Sequence, residues 1–463
     1  MSLGSEPAGG ARTDRARTVT SPTPTPLARG EASEAIKALK ARDNWTNWLH
    51  LAQVYAVIVM TIALAISANS WIAAQGFGWE WGVAVNVVAI LVLGAAQHQF
   101  GGAIHEGTHF LLFKDRRLNE LASDWLAAFP IYTSTYQFRI HHLAHHQFVN
   151  DPERDPDIAQ LKESGHWLDF PVPPIELVWS FVKALSPLRL AAFTLIRAKY
   201  SAVGFEGHAY VDPNDQGSKW PLRVGVLYGV GAPIVTGELI RHAHPDAAIV
   251  FLAAATAGAI GYLLMMPEKA FIQTRLAPVI SHRTTMISRV VYFAILYGAL
   301  TFVSVMGLAP AWHYFVLYWA LPLFTSFPLF MMLRQWVQHG NADRGRFTNT
   351  RVFLTGPVVR YAVFPWGMDY HLPHHLMASV PHYNLRQLHE LMLTDPDYRE
   401  KGVVLHGFFA SSDEGPSALA ALGPEHAPHA RESTYVDNAA LEYAELRDAA
   451  GIAHEAAQSQ QAT

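Results

Sequence analysis

The chain has 463 residues, of which 51% are hydrophobic, 12% aromatic and only 16% charged, and its formal net charge is -4. Typical soluble domains carry roughly 25% charged residues, so this composition points to lipid, and no basic run with interleaved aromatics offers a nucleic-acid interface. Cysteine is absent, which excludes disulfides, thiolate zinc sites and cysteine-held iron–sulfur clusters; a metal here must be held by nitrogen and oxygen.

Residues 1–35 are rich in Gly, Ser, Thr, Pro and Arg without an apolar period, and are expected to be a disordered tail. Arg12, Arg15 and Arg17 are not followed by an apolar run of the kind a signal peptide needs. Leu49–Ala74 and Trp81–Ile104 are the first spanning candidates, since a bilayer core takes about 20 helical residues. The second ends at His105-Glu106-Gly107-Thr108-His109, followed by Lys114-Asp115-Arg116-Arg117, a charge cluster that favours the cytoplasmic face. Leu118–Tyr136, interrupted by Asp124 and Pro130, reads as a surface-lying or re-entrant piece.

Next comes Arg139-Ile140-His141-His142-Leu143-Ala144-His145-His146. On a helix, His142, His145 and His146 recur at three- and four-residue spacing and project from one face as a comb of metal ligands, with His141 off that face. Asn150–Asp157 is an acidic, proline-punctuated loop that must lie in water. Residues 173–200 are broken by Glu176, Lys183, Pro187 and Arg189, as in an interfacial helix.

Two further hairpins are expected, Leu222–Ile240 with Ala247–Met266, and Val290–Gly307 with Tyr314–Leu333. Their outer turns are nearly free of Lys and Arg, whereas the inner segments carry Lys269, Arg275, Arg283, Arg289, Arg334, Arg344 and Arg346. Trp312, Tyr314, Tyr318 and Trp319 read as interfacial anchors. The last span leads into Arg334-Gln335-Trp336-Val337-Gln338-His339, and Asp369-Tyr370-His371-Leu372-Pro373-His374-His375 follows. Beyond Ser411 a polar, partly helical tail (411–463) is expected, with no visible site. The expected fold is an all-α integral membrane protein of four to six transmembrane helices over residues 36–410, with a cytoplasmic helical cap carrying the histidine clusters.

His105, His109, His142, His145, His146, His339, His371, His374 and His375 make nine imidazoles on one membrane face. One ion takes about four to six ligands, so nine fit two ions better than one, and imidazole by itself does not choose among Zn, Cu, Fe and Ni. HxxxH (His105, His109), HxxHH (His142, His145, His146) and a late HxxHH (His371, His374, His375) resemble the three histidine boxes of the membrane fatty acid desaturase superfamily. The flanks Asn150-Asp151-Pro152, Asp155-Pro156-Asp157 and Val380-Pro381-His382-Tyr383-Asn384-Leu385 agree, and the similarity covers roughly residues 50–405. The resemblance implies two iron ions, O2 as co-substrate, hydrogen abstraction from an unactivated C–H bond of a lipid or acyl substrate, and His339 as the extra ligand before the third box. It also implies electrons from an external donor of the ferredoxin or cytochrome b5 type, since no such segment is visible in the chain. Asp369 departs from the asparagine of many members.

Other readings stand beside these. His105-Glu106-Gly107-Thr108-His109 alone is the HExxH pattern of a zinc peptidase with Glu106 as general base. A hydroxylase shares the desaturase's oxidant and boxes, and a membrane protein that stores or moves metal is a non-enzymatic alternative. Around the ligands, Glu106, His141, Asp155, Asp157, Gln335 and Asp369 are candidates to orient them or to hold a metal-bound water; loop capping rivals that role for the two aspartates. His98, His382 and His389 read as structural.

Overall fold

The structure is a computed structural model that describes residues 31–203, 210, 217–274 and 276–426. Arg275, the chain up to residue 30 and the tail from residue 427 lie outside the described residues. Helix α1 (Glu31–Leu39) precedes a long hairpin, α2 (Thr46–Ala74) and α3 (Trp79–Thr108). On α2, Leu51, Val54, Ile58 and Ala65 form the buried stripe, while Val59, Met60 and Leu64 on the other side are exposed and apolar. A helix apolar all round belongs in lipid. A Cβ on Gly94 of α3 would lie 2.6 Å from the backbone nitrogen of Phe327, so glycine there lets two helix backbones touch.

The chain then runs through α4 (Arg116–Ser123), α5 (Thr135–Gln147) and α6 (Pro156–Glu163), none of them long and apolar enough to cross a bilayer. Helices α7 (Pro174–Ala184) and α8 (Pro187–Val203) meet at 84°, because Pro187 cannot continue α7. The third span, Trp220–Arg241, comprises α9 (Trp220–Val226) and α10 (Ala232–Arg241) joined by a π turn, Leu227–Gly231. Pro233 lacks the N–H that a regular turn would use, and the loosened Gly229 carbonyl accepts from the Tyr297 hydroxyl at 2.6 Å. The next spans are α11 (Pro245–Met265) and α12 (His282–Val305). The sixth, Ala311–His339, is α13 (Ala311–Phe315), a second π turn before Pro322, α14 (Leu321–Phe324) and α15 (Ser326–His339).

Among the described residues, six helices are therefore long and apolar enough to cross a bilayer, the upper end of the expected range. Trp312 and Tyr318 are not the expected interfacial anchors; both are buried between spans, and Tyr318 donates to Asn86 Oδ1 at 2.8 Å. Sharing a helix with a bilayer rim does not decide which side of that helix a ring occupies. Exposed indoles on the first hairpin are instead Trp71, Trp79 and Trp81 at one end, with Trp45 and Trp48 at the other, the two levels favoured by amphipathic rings.

After His339, strand β1 (Arg351–Leu354), α16 (Pro357–Val363), α17 (His371–Leu376), α18 (Leu385–Met392), α19 (Pro396–Lys401) and β2 (Val403–His406) complete the cap. The strands pair in parallel, Val352 opposite Val404, and β1 also holds the segment leading into α17, Phe353 N donating to the Asp369 carbonyl at 2.7 Å. Ala418, Ala421 and Leu422 pack into the same core as Phe353, Phe364 and Leu405, so the packed body continues past Ser411.

Candidate metal centre

Helix α3 ends with His105 and His109 one turn apart on its inner face, and its last carbonyls would be unpaired. Arg139 of α5 closes that end: its Nε donates to the Thr108 carbonyl and its Nη2 to the Gly107 carbonyl, each at 2.8 Å. The same guanidinium pairs with buried Glu120 of α4, and Asn119 Nδ2 adds a bond to the Gly107 carbonyl at 2.9 Å. The first histidine pair is thereby locked to the helix carrying the second set.

The nine histidines separate into two groups. Ligand atoms of His105, His109, His142, His146 and His374 all lie within 4.8 Å of one another, as do those of His145, His339, His371 and His375. The expected comb is split: His142 and His146, four residues apart, face the first group, while His145 turns to the second. Likewise His371 and His375 stay together and His374 crosses over. Residues four apart on a helix share a face, and neighbours diverge by about 100°, so each HxxHH box serves both groups.

In the first group, Nε2 of His142 lies 3.0 Å from His109 Nε2 and 2.9 Å from His146 Nε2, which is 3.1 Å from His374 Nε2. In the second, His339 Nε2 lies 3.2 Å from His145 Nε2 and 3.0 Å from His371 Nε2, itself 3.1 Å from His375 Nε2. Two nitrogens bound at ~2.0–2.1 Å to one ion, at right angles, would be ~2.9 Å apart. His339 Nδ1 donates to the Asn349 carbonyl at 3.1 Å, and His145 Nδ1 to the Asp155 carboxylate at 3.0 Å. With both Nδ1 hydrogens so used, lone pairs on the two Nε2 atoms confront each other and require a cation between them. Burial lowers the pKa of His145, but Asp155 and Asp157 outweigh it and push it up to about 9, the same demand for positive charge. A proton would satisfy one pair of nitrogens; a metal ion satisfies all four. Burial, then the neighbouring imidazoles, hold His142, His374 and His375 well below the ordinary histidine range, leaving neutral rings ready to coordinate.

Asp155 fills both roles considered for it. It caps α6 by accepting from Asp157 N at 2.9 Å, and it accepts from His145. Asp157 accepts from His141 Nε2 at 2.7 Å and pairs with Arg197, so His141 buttresses the acidic loop and stands outside both groups. Glu106 lies 3.5 Å from His105 Nδ1 and accepts from the backbone N–H of His382 at 2.9 Å, an engagement that ties the third-box flank to α3 and does not suit a peptidase base. Gln335 and Asp369 make no hydrogen bond or ion pair with the grouped histidines among the described residues: Gln335 Nε2 donates to Gln160 Oε1 at 3.3 Å, and Asp369 pairs with Arg360 Nε at 2.8 Å. His98, His382 and His389 hydrogen-bond to the Ala362 carbonyl, Asn47 and Tyr398 respectively.

Sequence reasoning missed the Arg139–Glu120 pair and Asn119. Its signal was present: an arginine at the head of the histidine stretch and an acid in an otherwise apolar segment each need a partner when buried.

The sequence profile of the family described as Fatty acid desaturase matches residues 81–288 and 208–408, more than half of the chain. The dihydrorhizobitoxine desaturase of Bradyrhizobium elkanii is 22% identical over 387 residues, covering 82% of this chain and 85% of that protein. With six apolar spans and two buried histidine groups already placed, this chain belongs to the fatty acid desaturase family of membrane oxidoreductases.

Proposed function

We propose that the protein is an O2-dependent desaturase whose nine grouped histidines hold two iron ions and which introduces a double bond into a fatty acyl or related chain. The observation that carries this reading is the division of nine Nε2-bearing rings into groups of five and four, each spaced for one ion. Two irons held there would supply the oxidising power to take hydrogen from an unactivated C–H bond. The net reaction removes two hydrogens from adjacent carbons and reduces O2 to two waters, so it needs two further electrons and two protons. An external donor of the ferredoxin or cytochrome b5 type supplies the electrons. The chain's own part is to fix the nine rings and to bury them away from water. Arg139 and Asn119 anchor the end of α3, Asp155 and Asn349 fix the tautomers of His145 and His339, and the β1–β2 pair braces α17.

Lys114, Arg116, Arg117 and Arg283 lie at the histidine-bearing ends of the spans, which supports a cytoplasmic centre. The relative's name attaches desaturation to dihydrorhizobitoxine, so a substrate screen extends beyond long acyl lipids. The test is metal analysis of the purified protein together with product analysis under O2 and a reducing system. About two irons per chain and an alkene product are expected, and His145→Ala should lose both iron and turnover. An alcohol product would replace desaturation by hydroxylation, and full activity of His145→Ala would remove the reading.

A further inference from the structure

Directly below the histidines, on the side from which a substrate in the bilayer would approach, the protein is polar. His98 lies seven residues before His105 on α3, hence on the same face and about 10 Å deeper by helical rise. Its Nδ1 is bonded to the Ala362 carbonyl, and its buried Nε2 has no partner. Arg334 lies five residues before His339 on α15, which packs against α3. Among the described residues its guanidinium makes no hydrogen bond or ion pair; the residue is half-buried, and its Nε is sealed from solvent. The acid that acts on it electrostatically is Asp157, and that carboxylate is already paired with Arg197 and His141. Next to Arg334 on α15, Gln335 is bonded to Gln160, and Gln335 Oε1 and Gln160 Nε2 are also buried and unpartnered.

A saturated hydrocarbon chain lying here would leave every one of these groups unpaired, each at the full cost of its desolvation. Water would pair the amides and leave the guanidinium without a counter-charge. A carboxylate answers both, because arginine binds it through two parallel N–H donors. We infer that the substrate is a short acid whose carboxylate is held by Arg334 beneath the histidine centre, with His98 and the buried glutamine amides completing its hydrogen bonds. This rests on the proposed desaturase reading and narrows it: the carbons that react stand within a few bonds of the acid group, and a long acyl chain with a distant headgroup is not the preferred substrate.

The test uses the full-length, iron-loaded protein in detergent micelles, with hexanoate, its neutral analogue hexanamide and inorganic phosphate followed by tryptophan fluorescence and calorimetry. Hexanoate should bind at least about tenfold more tightly than hexanamide, the scale of a charged hydrogen bond. Arg334→Gln should bring the two to equal affinity, and Arg334→Lys should keep part of the preference, with iron content unchanged in both. Equal binding of acid and amide by the unaltered protein would overturn the inference, as would a preference that survives Arg334→Gln. Displacement of hexanoate by phosphate would mark a general anion site and also overturn it. Iron loss in Arg334→Gln would make the residue a prop of the centre and do the same. Iron measured on the unaltered protein keeps the two proposals apart: its absence sinks the diiron reading whatever hexanoate does, while its presence with no acid preference sinks only this one.

Discussion

The five-histidine and four-histidine groups are built from the same boxes but held in different ways. In the four-membered group, His145 and His339 are each fixed from behind by an Nδ1 hydrogen bond, to Asp155 and to the Asn349 carbonyl, while Nδ1 of His371 and of His375 has no hydrogen-bond partner. In the five-membered group, Nδ1 of His105 and of His374 has no hydrogen-bond partner, and the rings lean on one another: His105 lies 4.5 Å from His142 and 4.4 Å from His374 between ring centroids. Rings lean on one another in both groups, His145 on His339 at 4.6 Å and His371 on His375 at 4.5 Å in the smaller one; the smaller group adds two outer hydrogen bonds where the larger adds a fifth ligand. Ligand number and outer support therefore substitute for each other, and the two groups should fail differently.

The largest difference is expected from removing one ligand on each side. His371→Ala leaves three imidazoles in its group and should lose about one iron per chain along with turnover, whereas His109→Ala leaves four and should retain more metal. Equal metal loss in the two variants would break the comparison. Arg139→Ala is expected to cost roughly 3–5 kcal/mol of stability, because it strands the buried Glu120 carboxylate. Thermal unfolding in detergent reads the loss, and Arg139→Met combined with Glu120→Gln should recover much of it. Since Arg139 closes the end of α3, its effect on metal should fall on the five-membered group. Asp155→Asn should act on the other side, weakening metal binding about 10–100-fold at the four-membered group and leaving the second metal in place; a titration with chelator would show two separate release steps.

The smallest effect concerns neither group directly. Asp124 is buried before α5 and accepts from Thr135 N at 2.7 Å. Burial pushes its pKa from 3.8 up to about 7, with Glu120 raising it further against the Thr135 bond and Arg139. The folded form thus keeps a proton that the unfolded chain gives up between about pH 4 and pH 7, so stability falls as pH rises through that window. Asp124→Asn should flatten this part of the profile and be the more stable protein above pH 7, with metal content unchanged. A steeper profile in the variant would contradict the assignment.

Much of this was legible in the chain itself. Apolar runs of 20 or more residues find the spans because lipid leaves backbone groups no partner outside a helix, and an even number of crossings returns every box to one face. The nine ligands were readable because imidazole has few other uses at such density. What stayed hidden depended on which side of a helix meets which neighbour. Trp312 and Tyr318 have the residue types of interfacial anchors and lie between spans instead. Gln335 shares the spacing of a ligand with His339 but is turned to Gln160.

The order of the boxes, their common face and the demand for nitrogen-held metal follow from residue type and local period, which a linear chain carries without folding. The assignment of His145 and His374 away from their box-mates, the Arg139 closure of α3 and the uncompensated Arg334 were decided only when distant helices packed. A side chain's partner is fixed by contacts across hundreds of positions, and no local period encodes them.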